Sequence, residues 1–121
     1  MPRVLAPRPP SKARTVLVPR ASPRARGYSA QWDRLSRAYR RKHPFCAWCE
    51  QRDLLRFADV VDHKHPVADG GPIFDPMNLW GLCLTHHGAK TSMEAFARGT
   101  GQIDRLPIWC DDPHARPTRF R

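Results

Sequence analysis

Residues 59–66 read DVVDHKHP, from Asp59 to Pro66. An apolar pair is followed at once by an aspartate and two histidines, and a proline closes the run. A strand that only fills a core has no need of these polar groups. A metal site or a proton-transfer site does need them, because an oxygen ligand, an imidazole and a base must stand close together.

The flanks give this run its setting. FADVV (57–61) is short and β-prone, and VADGGPIFDPM (67–77), rich in Gly, Pro and Asp, reads as a loop. NLWGLC (78–83) is a candidate second strand, and 84–98 suits a helix ended by Gly99, with a break near Gly88 or Thr91 as an alternative. Upstream, Ser29 can N-cap a helix over 30–42, in which Trp32, Leu35 and Tyr39 recur on one face. Its basic residues Arg34, Arg37, Arg40, Arg41 and Lys42 lie mostly elsewhere, as phosphate contacts or as a solvated face. Pro44 stops this helix, and FCAWC (45–49) forms a tight turn. The order is helix, cysteine turn, strand, loop, strand, helix, with no internal repeat.

Composition sets the domain plan. Residues 1–27 hold six prolines, seven Lys/Arg and no acid, which predicts a disordered basic arm. Residues 101–121 carry three prolines and no periodicity, and read as a C-terminal tail. The folded part is then 28–100, small enough that a core alone is marginal and a staple or metal is wanted. The 121-residue chain has 21 basic against 11 acidic residues, a net charge of +10, which points to an anionic partner, nucleic acid first and a membrane surface second. No apolar run approaches the ~18 residues of a membrane span, and no secretory signal is expected. A cytoplasmic setting follows, with cysteines reduced and free to bind metal.

Cys46-x-x-Cys49 and Cys83-x-x-His86 lie 33 residues apart. Two-residue gaps let each pair clasp one side of a tetrahedral ion, so the pattern predicts a structural Cys3His zinc site. Metal-linked folding of about 10 kcal/mol or more would supply what a small core lacks. Cys110 stands apart, as a substitute ligand or a surface thiol. Asp62, His63, His65 and His87 are surplus to the knuckle. Two readings remain: a zinc-stapled nucleic-acid-binding module with incidental histidines, or a nuclease whose structural zinc lies under a catalytic metal.

The string Val61-Asp62-His63-x-x-Pro66, Gly70-Gly71, Asn78-Leu79, Leu82-Cys83 and His87-x-x-Lys90 resembles the HNH endonucleases. The lead-in RGYSAQWDRLSRAYRRKHPFCAWC (26–49) resembles that of phage-type, terminase-associated members. The resemblance covers about 26–92. It implies a small α+β protein with the ββα-metal (HNH/His-Me finger) fold, a zinc-stapled knuckle and one preceding helix. It also implies that Asp62 and His87 bind a divalent ion, that His63 is the general base, and that Asn78 holds the long loop and helps orient His63. One departure is His86 where the family commonly has cysteine. Both His86 and His87 can face Cys83 from a helix start, so spacing does not choose between them. The family spacing to Lys90 assigns His87 to the catalytic ion and His86 to zinc. Lys90 is expected to contact phosphate, and His65 to be an exposed loop residue, a phosphate contact or a spare ligand.

The implied reaction is metal-dependent hydrolysis of DNA phosphodiesters, by nicking or double-strand cleavage, leaving 5′-phosphate and 3′-hydroxyl ends. Mg2+, Mn2+, Co2+ or Ni2+ suits the mixed oxygen and nitrogen site. By the same resemblance, terminase and portal proteins are expected partners in genome packaging, within host cytoplasm if the chain is phage-encoded.

Overall fold

The computed structural model describes residues 4–5 and 23–121, with side-chain surroundings from residue 29 onward. The expected basic arm lies mostly outside the described residues. Within it, Val4–Leu5 forms β1, and helix α1 runs Pro23–Lys42. Ser29 therefore sits inside α1 and does not cap it; proline, with its fixed φ, suits a helix's first turn instead. The four-residue helix α2 (Ala47–Glu50) follows, and then β2 (Leu55–Arg56), which pairs in parallel with β1.

The central unit is an antiparallel hairpin of β3 (Val60–His63) and β4 (Leu79–Leu82), followed by helix α3 (Leu84–Gly99). The register sets Asp62 opposite Trp80 and His63 opposite Leu79. The strand thus starts later than FADVV and includes the polar pair. Phe57 is instead bridged to Phe45, and the Ala58 N–H donates to the Pro44 carbonyl. Helix α3 is continuous through Gly88 and Thr91. Its buried positions His86, Lys90, Met93 and Ala97 recur at helical spacing on one side. No side chain of its own caps it; the Asp59 carboxylate accepts from the Leu84 N–H at 2.9 Å.

Alternation along β3 decides what each neighbour meets. On one face, Asp62 turns to Trp80, whose Nε1 donates to Asp62 Oδ2 at 3.1 Å. On the other, the His63 ring stacks on Trp32 of α1, with centroids 4.6 Å apart. The Tyr39 hydroxyl, also on α1, donates to the Leu79 carbonyl at 3.0 Å. The basic residues Arg34, Arg37 and Arg41 lie on the side of α1 away from this contact face and are exposed.

Residues 101–121 are not a loose tail. A 3-10 turn at Ile103–Arg105 leads into helix α4 (Leu106–Asp111), and two further 3-10 turns follow. Leu106, Trp109, Cys110 and Phe120 join the core built by Trp48, Trp80, Leu82, Met93 and Ala97. The segment shows no single period because its apolar residues are spread over one short helix and separate turns. Arg116 is buried here: its guanidinium lies 4.1 Å from the Trp48 ring centroid and donates to the Cys110 carbonyl and to Gln51.

Candidate active site and metal knuckle

The four predicted zinc ligands meet. Cys46 ends the turn before α2, Cys49 lies within it, Cys83 precedes α3, and His86 is in its first turn. All four are buried, and their donor atoms lie within 4.8 Å of one another. His86 Nδ1 is 3.6, 3.3 and 3.4 Å from the sulfurs of Cys46, Cys49 and Cys83, and Cys49 and Cys83 Sγ are 3.9 Å apart. A tetrahedral zinc with ordinary bond lengths sets N···S edges of about 3.6 Å and S···S edges of about 3.8 Å. The donor set therefore fits a zinc knuckle. Burial lowers the His86 pKa to about 4, reinforced by the charges of Arg52, Arg56 and Arg116, so the ring is neutral and able to ligate. Burial and the neighbouring thiols raise Cys49 to about 12, and burial raises Cys46. Burial acts the same way on Cys83 but is outweighed by hydrogen bonds from the His86 backbone and Arg56, and its pKa falls. Such crowding of thiols is what a bound cation would relieve.

Trp48 packs against this cluster, parallel to the His86 ring at 5.0 Å. Cys110 is not part of it. It is buried rather than a surface thiol, and burial pushes it up to about 12.

His87, one residue on, points another way. Its Nε2 lies 3.9 Å from Asp62 Oδ1, and its side chain is 42% exposed. The two Asp62 oxygens are unequal. Oδ2 accepts from Trp80 and from Lys90 Nζ (2.8 Å), leaving Oδ1 toward His87. Bonds of about 2.1 Å to one octahedral ion set adjacent ligands about 3.0 Å apart, so this carboxylate oxygen and imidazole stand within about 1 Å of sharing an ion, on a side open to solvent.

Lys90 overturns its expected phosphate contact. It is fully buried, donates to the His63 carbonyl at 2.8 Å, and is paired with both Asp62 and Glu94. An ammonium held by three acceptors is not offered to a substrate. Trp80 and Glu94 complete this arrangement, and the sequence reading does not single them out. The i,i+4 spacing of Lys90 and Glu94 was the available signal.

The loop between the strands is organised by Asn78. Its buried amide donates to the His65 and Pro72 carbonyls at 3.0 and 2.9 Å and accepts from the His65 N–H at 2.8 Å. Gly71 packs under the same segment: a Cβ there would lie 1.9 Å from the His65 oxygen, so no side chain fits. Gly70 before it has φ of +95°, which glycine adopts without strain. His65 is half-buried, its Nε2 donating to the Asp69 carbonyl, so it is a loop brace rather than an exposed residue. Asp69 in turn pairs with Arg98 on α3, which lowers its pKa.

This loop delivers the Ile73 carbonyl to His63, 2.9 Å from Nε2. A carbonyl only accepts, so Nε2 carries the hydrogen and Nδ1 keeps its lone pair. His63 is thereby held in one tautomer with a basic nitrogen free.

No family model and no curated protein matches the sequence. Among solved structures, the chain is similar to the HNH endonuclease of the deep-sea thermophilic bacteriophage GVE2, determined with manganese ion. The TM-score is 0.51 at 28% identity, over 60% of this chain and 80% of that one. The fold is the ββα-metal fold of HNH endonucleases. In its terms β3 and β4 are the two strands, α3 is the helix, and the Cys3His cluster staples the strand end to the helix start. Among the described residues, no helix is long and apolar enough to cross a membrane.

Proposed function

We propose that the chain is a metal-dependent DNA endonuclease. The observation that carries this reading is the pairing of Asp62 Oδ1 with His87 Nε2 on the exposed side of a ββα unit whose strand also carries His63. Its support is the likeness to a phage HNH endonuclease solved with manganese. In this proposal Asp62 and His87 hold one divalent ion, of the Mg2+, Mn2+, Co2+ or Ni2+ class, and Cys46, Cys49, Cys83 and His86 hold a structural Zn2+. When bound, the catalytic ion supplies electrophilic stabilisation of charge on the phosphate and leaving oxygen.

The chain's own residues do the rest. His63 Nδ1 takes the proton from the attacking water. The Ile73 carbonyl steadies the ring as it becomes charged, because Nε2–H donates to it in both states. Asn78 acts at one remove, as a positioning residue that fixes the loop bearing Ile73. Lys90 and Trp80 hold Asp62 on one oxygen and so aim the other. Trp32 backs the imidazole from the α1 side. Arg37, Arg40 and Arg41 are exposed and available to phosphates, although Arg40 also donates to the Ala58 carbonyl. With a net charge of +10, attraction to the backbone should fall steeply with salt. The phage likeness of both fold and lead-in supports a cytoplasmic role in genome packaging with terminase and portal proteins.

A plasmid-nicking assay with Mg2+, Mn2+ and Ni2+ tests the reading. Wild type should nick only with a divalent ion, and His63→Ala should lose about 10²–10⁴-fold in rate while remaining folded. DNA binding without nicking under any ion would leave the zinc-stapled binding module instead.

A further inference from the structure

Helix α3 presents two flanks. His87 and Lys90 turn toward Asp62, whereas His86 and Ala89 turn toward the knuckle and a cleft of about 250 Å3. Three arginines line this cleft: Arg52 from the turn after α2, and Arg119 and Arg121 from the last residues. They come from segments far apart in sequence, so only the packing of 101–121 onto the core brings them together.

None of the three forms an ion pair with a carboxylate among the described residues, although Arg98 and Lys64 do. What holds them does not neutralise them. The Arg119 guanidinium lies over the Phe96 and Phe120 rings, 5.3 and 4.9 Å from their centroids. Arg121 donates to the backbone carbonyls of Arg116 and His114 at 2.8 and 3.0 Å. Arg52 has no side-chain hydrogen bond or ion pair among the described residues. Three like charges gathered and oriented in one cleft repel one another, and an anion reverses the sign of that interaction.

Size and surface narrow the ligand. The cleft is smaller than the ~300 Å3 at which small-molecule pockets begin. Its aromatic lining, Trp48 and Phe120, is 3% and 9% exposed, so it offers no ring for a base to stack on and no apolar anchor for a peptide. What remains is charge recognition of a phosphate.

We propose that Arg52, Arg119 and Arg121 form a second phosphate subsite that grips the nucleic-acid backbone beside the cleaved position. The proposal rests on the nuclease reading for its substrate. A helix with its side chains is about 10–12 Å across, and a DNA strand advances 3.4 Å per nucleotide along the axis. Because the strand also winds around that axis, its neighbouring phosphates lie farther apart than this rise, so a strand crossing α3 from the Asp62–His87 side would present to the cleft a phosphate about two nucleotides away.

The test is binding of the full chain to a short labelled duplex by fluorescence anisotropy, over a range of salt and without added divalent ion. Arg52→Gln should reduce the slope of log K against log salt by about 1, and Arg52→Gln with Arg119→Gln by about 2. Arg105→Gln, an exposed charge outside the cleft, should leave the slope unchanged. Arg52 has no fold-supporting partner, so its single variant keeps the test valid should Arg119→Gln loosen the C-terminus. Equal slopes for Arg52→Gln, Arg105→Gln and wild type overturn the subsite, and would do so equally were the cleft to serve an acidic protein. Reduced slopes with a wild type that never nicks sustain the subsite and refute the nuclease. A wild type that binds no DNA refutes both.

Discussion

Asp62 shows how one side chain is divided between structure and chemistry. Trp80 and Lys90 occupy Oδ2, and His87 faces Oδ1. Lys90 is the keystone of this division, and its charge is balanced by Asp62 and Glu94 inside the protein. Removing one partner from such a buried group leaves the others uncompensated, at a cost of about 3–5 kcal/mol. Lys90→Met, which keeps the volume and deletes the cation, should therefore lower the melting temperature by well over 10 °C in a domain of this size. Thermal unfolding followed by circular dichroism reads this directly. A shift of only a degree or two would mean that Asp62 and Glu94 accommodate the loss. The sequence showed Lys90 three residues after His87 but not that it points inward; a charge on a helix reads as exposed until the helix's partners are known.

At the scale of elements, the knuckle joins α2, the end of β4 and the start of α3. Its pH response follows from His86, whose folded pKa of about 4 lies below the ordinary ~6.5. The unfolded chain therefore takes up this proton first. The stability contributed by the neutral ring is whole above about pH 6.5 and is lost as pH falls toward about 4. Cys49, raised to about 12 by burial and then by its neighbouring thiols, is protonated without a cation. Adding Zn2+ to metal-free protein in weak buffer should thus release protons. The unfolding midpoint of the loaded protein should fall as pH drops below about 8.5, where the unfolded thiols take up protons, and more steeply below about 6.5, where the unfolded His86 does so as well. Zinc uptake with no proton release would contradict the ligand set. The two Cys/His pairs are legible because ligand spacing is a local property. The phase of α3 separates His86 from His87: one step of about 100° sends the first to the sulfurs and the second to Asp62.

On the scale of the whole molecule, the C-terminal residues complete the core. Leu106, Trp109 and Phe120 are each at least nine-tenths buried. At about 1.5–3 kcal/mol for each large apolar side chain, they account for roughly 5–9 kcal/mol, comparable with the ~5–15 kcal/mol that holds a whole domain. A chain ending at Gln102 should therefore lose its cooperative unfolding transition in urea even with zinc present. A truncated protein with an unchanged midpoint would show that 28–100 folds alone. The boundary at residue 100 rests on absent periodicity. Periodicity reports a regular element with one buried face, and this segment instead places single residues into gaps left by other elements.

The chemistry was written locally. Asp62 beside His63 and the paired ligand spacings depend on neighbours along the chain, so they are legible as candidates in the sequence, and the ββα architecture is what the resemblance to HNH endonucleases implies. What tertiary structure decided were the facts that depend on residues distant in sequence: Ile73 setting the His63 tautomer, Lys90 turned inward between Asp62 and Glu94, and Arg52 meeting Arg119 and Arg121 across the knuckle. Those contacts exist only once loop, helix and C-terminus share one core, because burial and partner choice are properties of the packed molecule and not of any stretch of it.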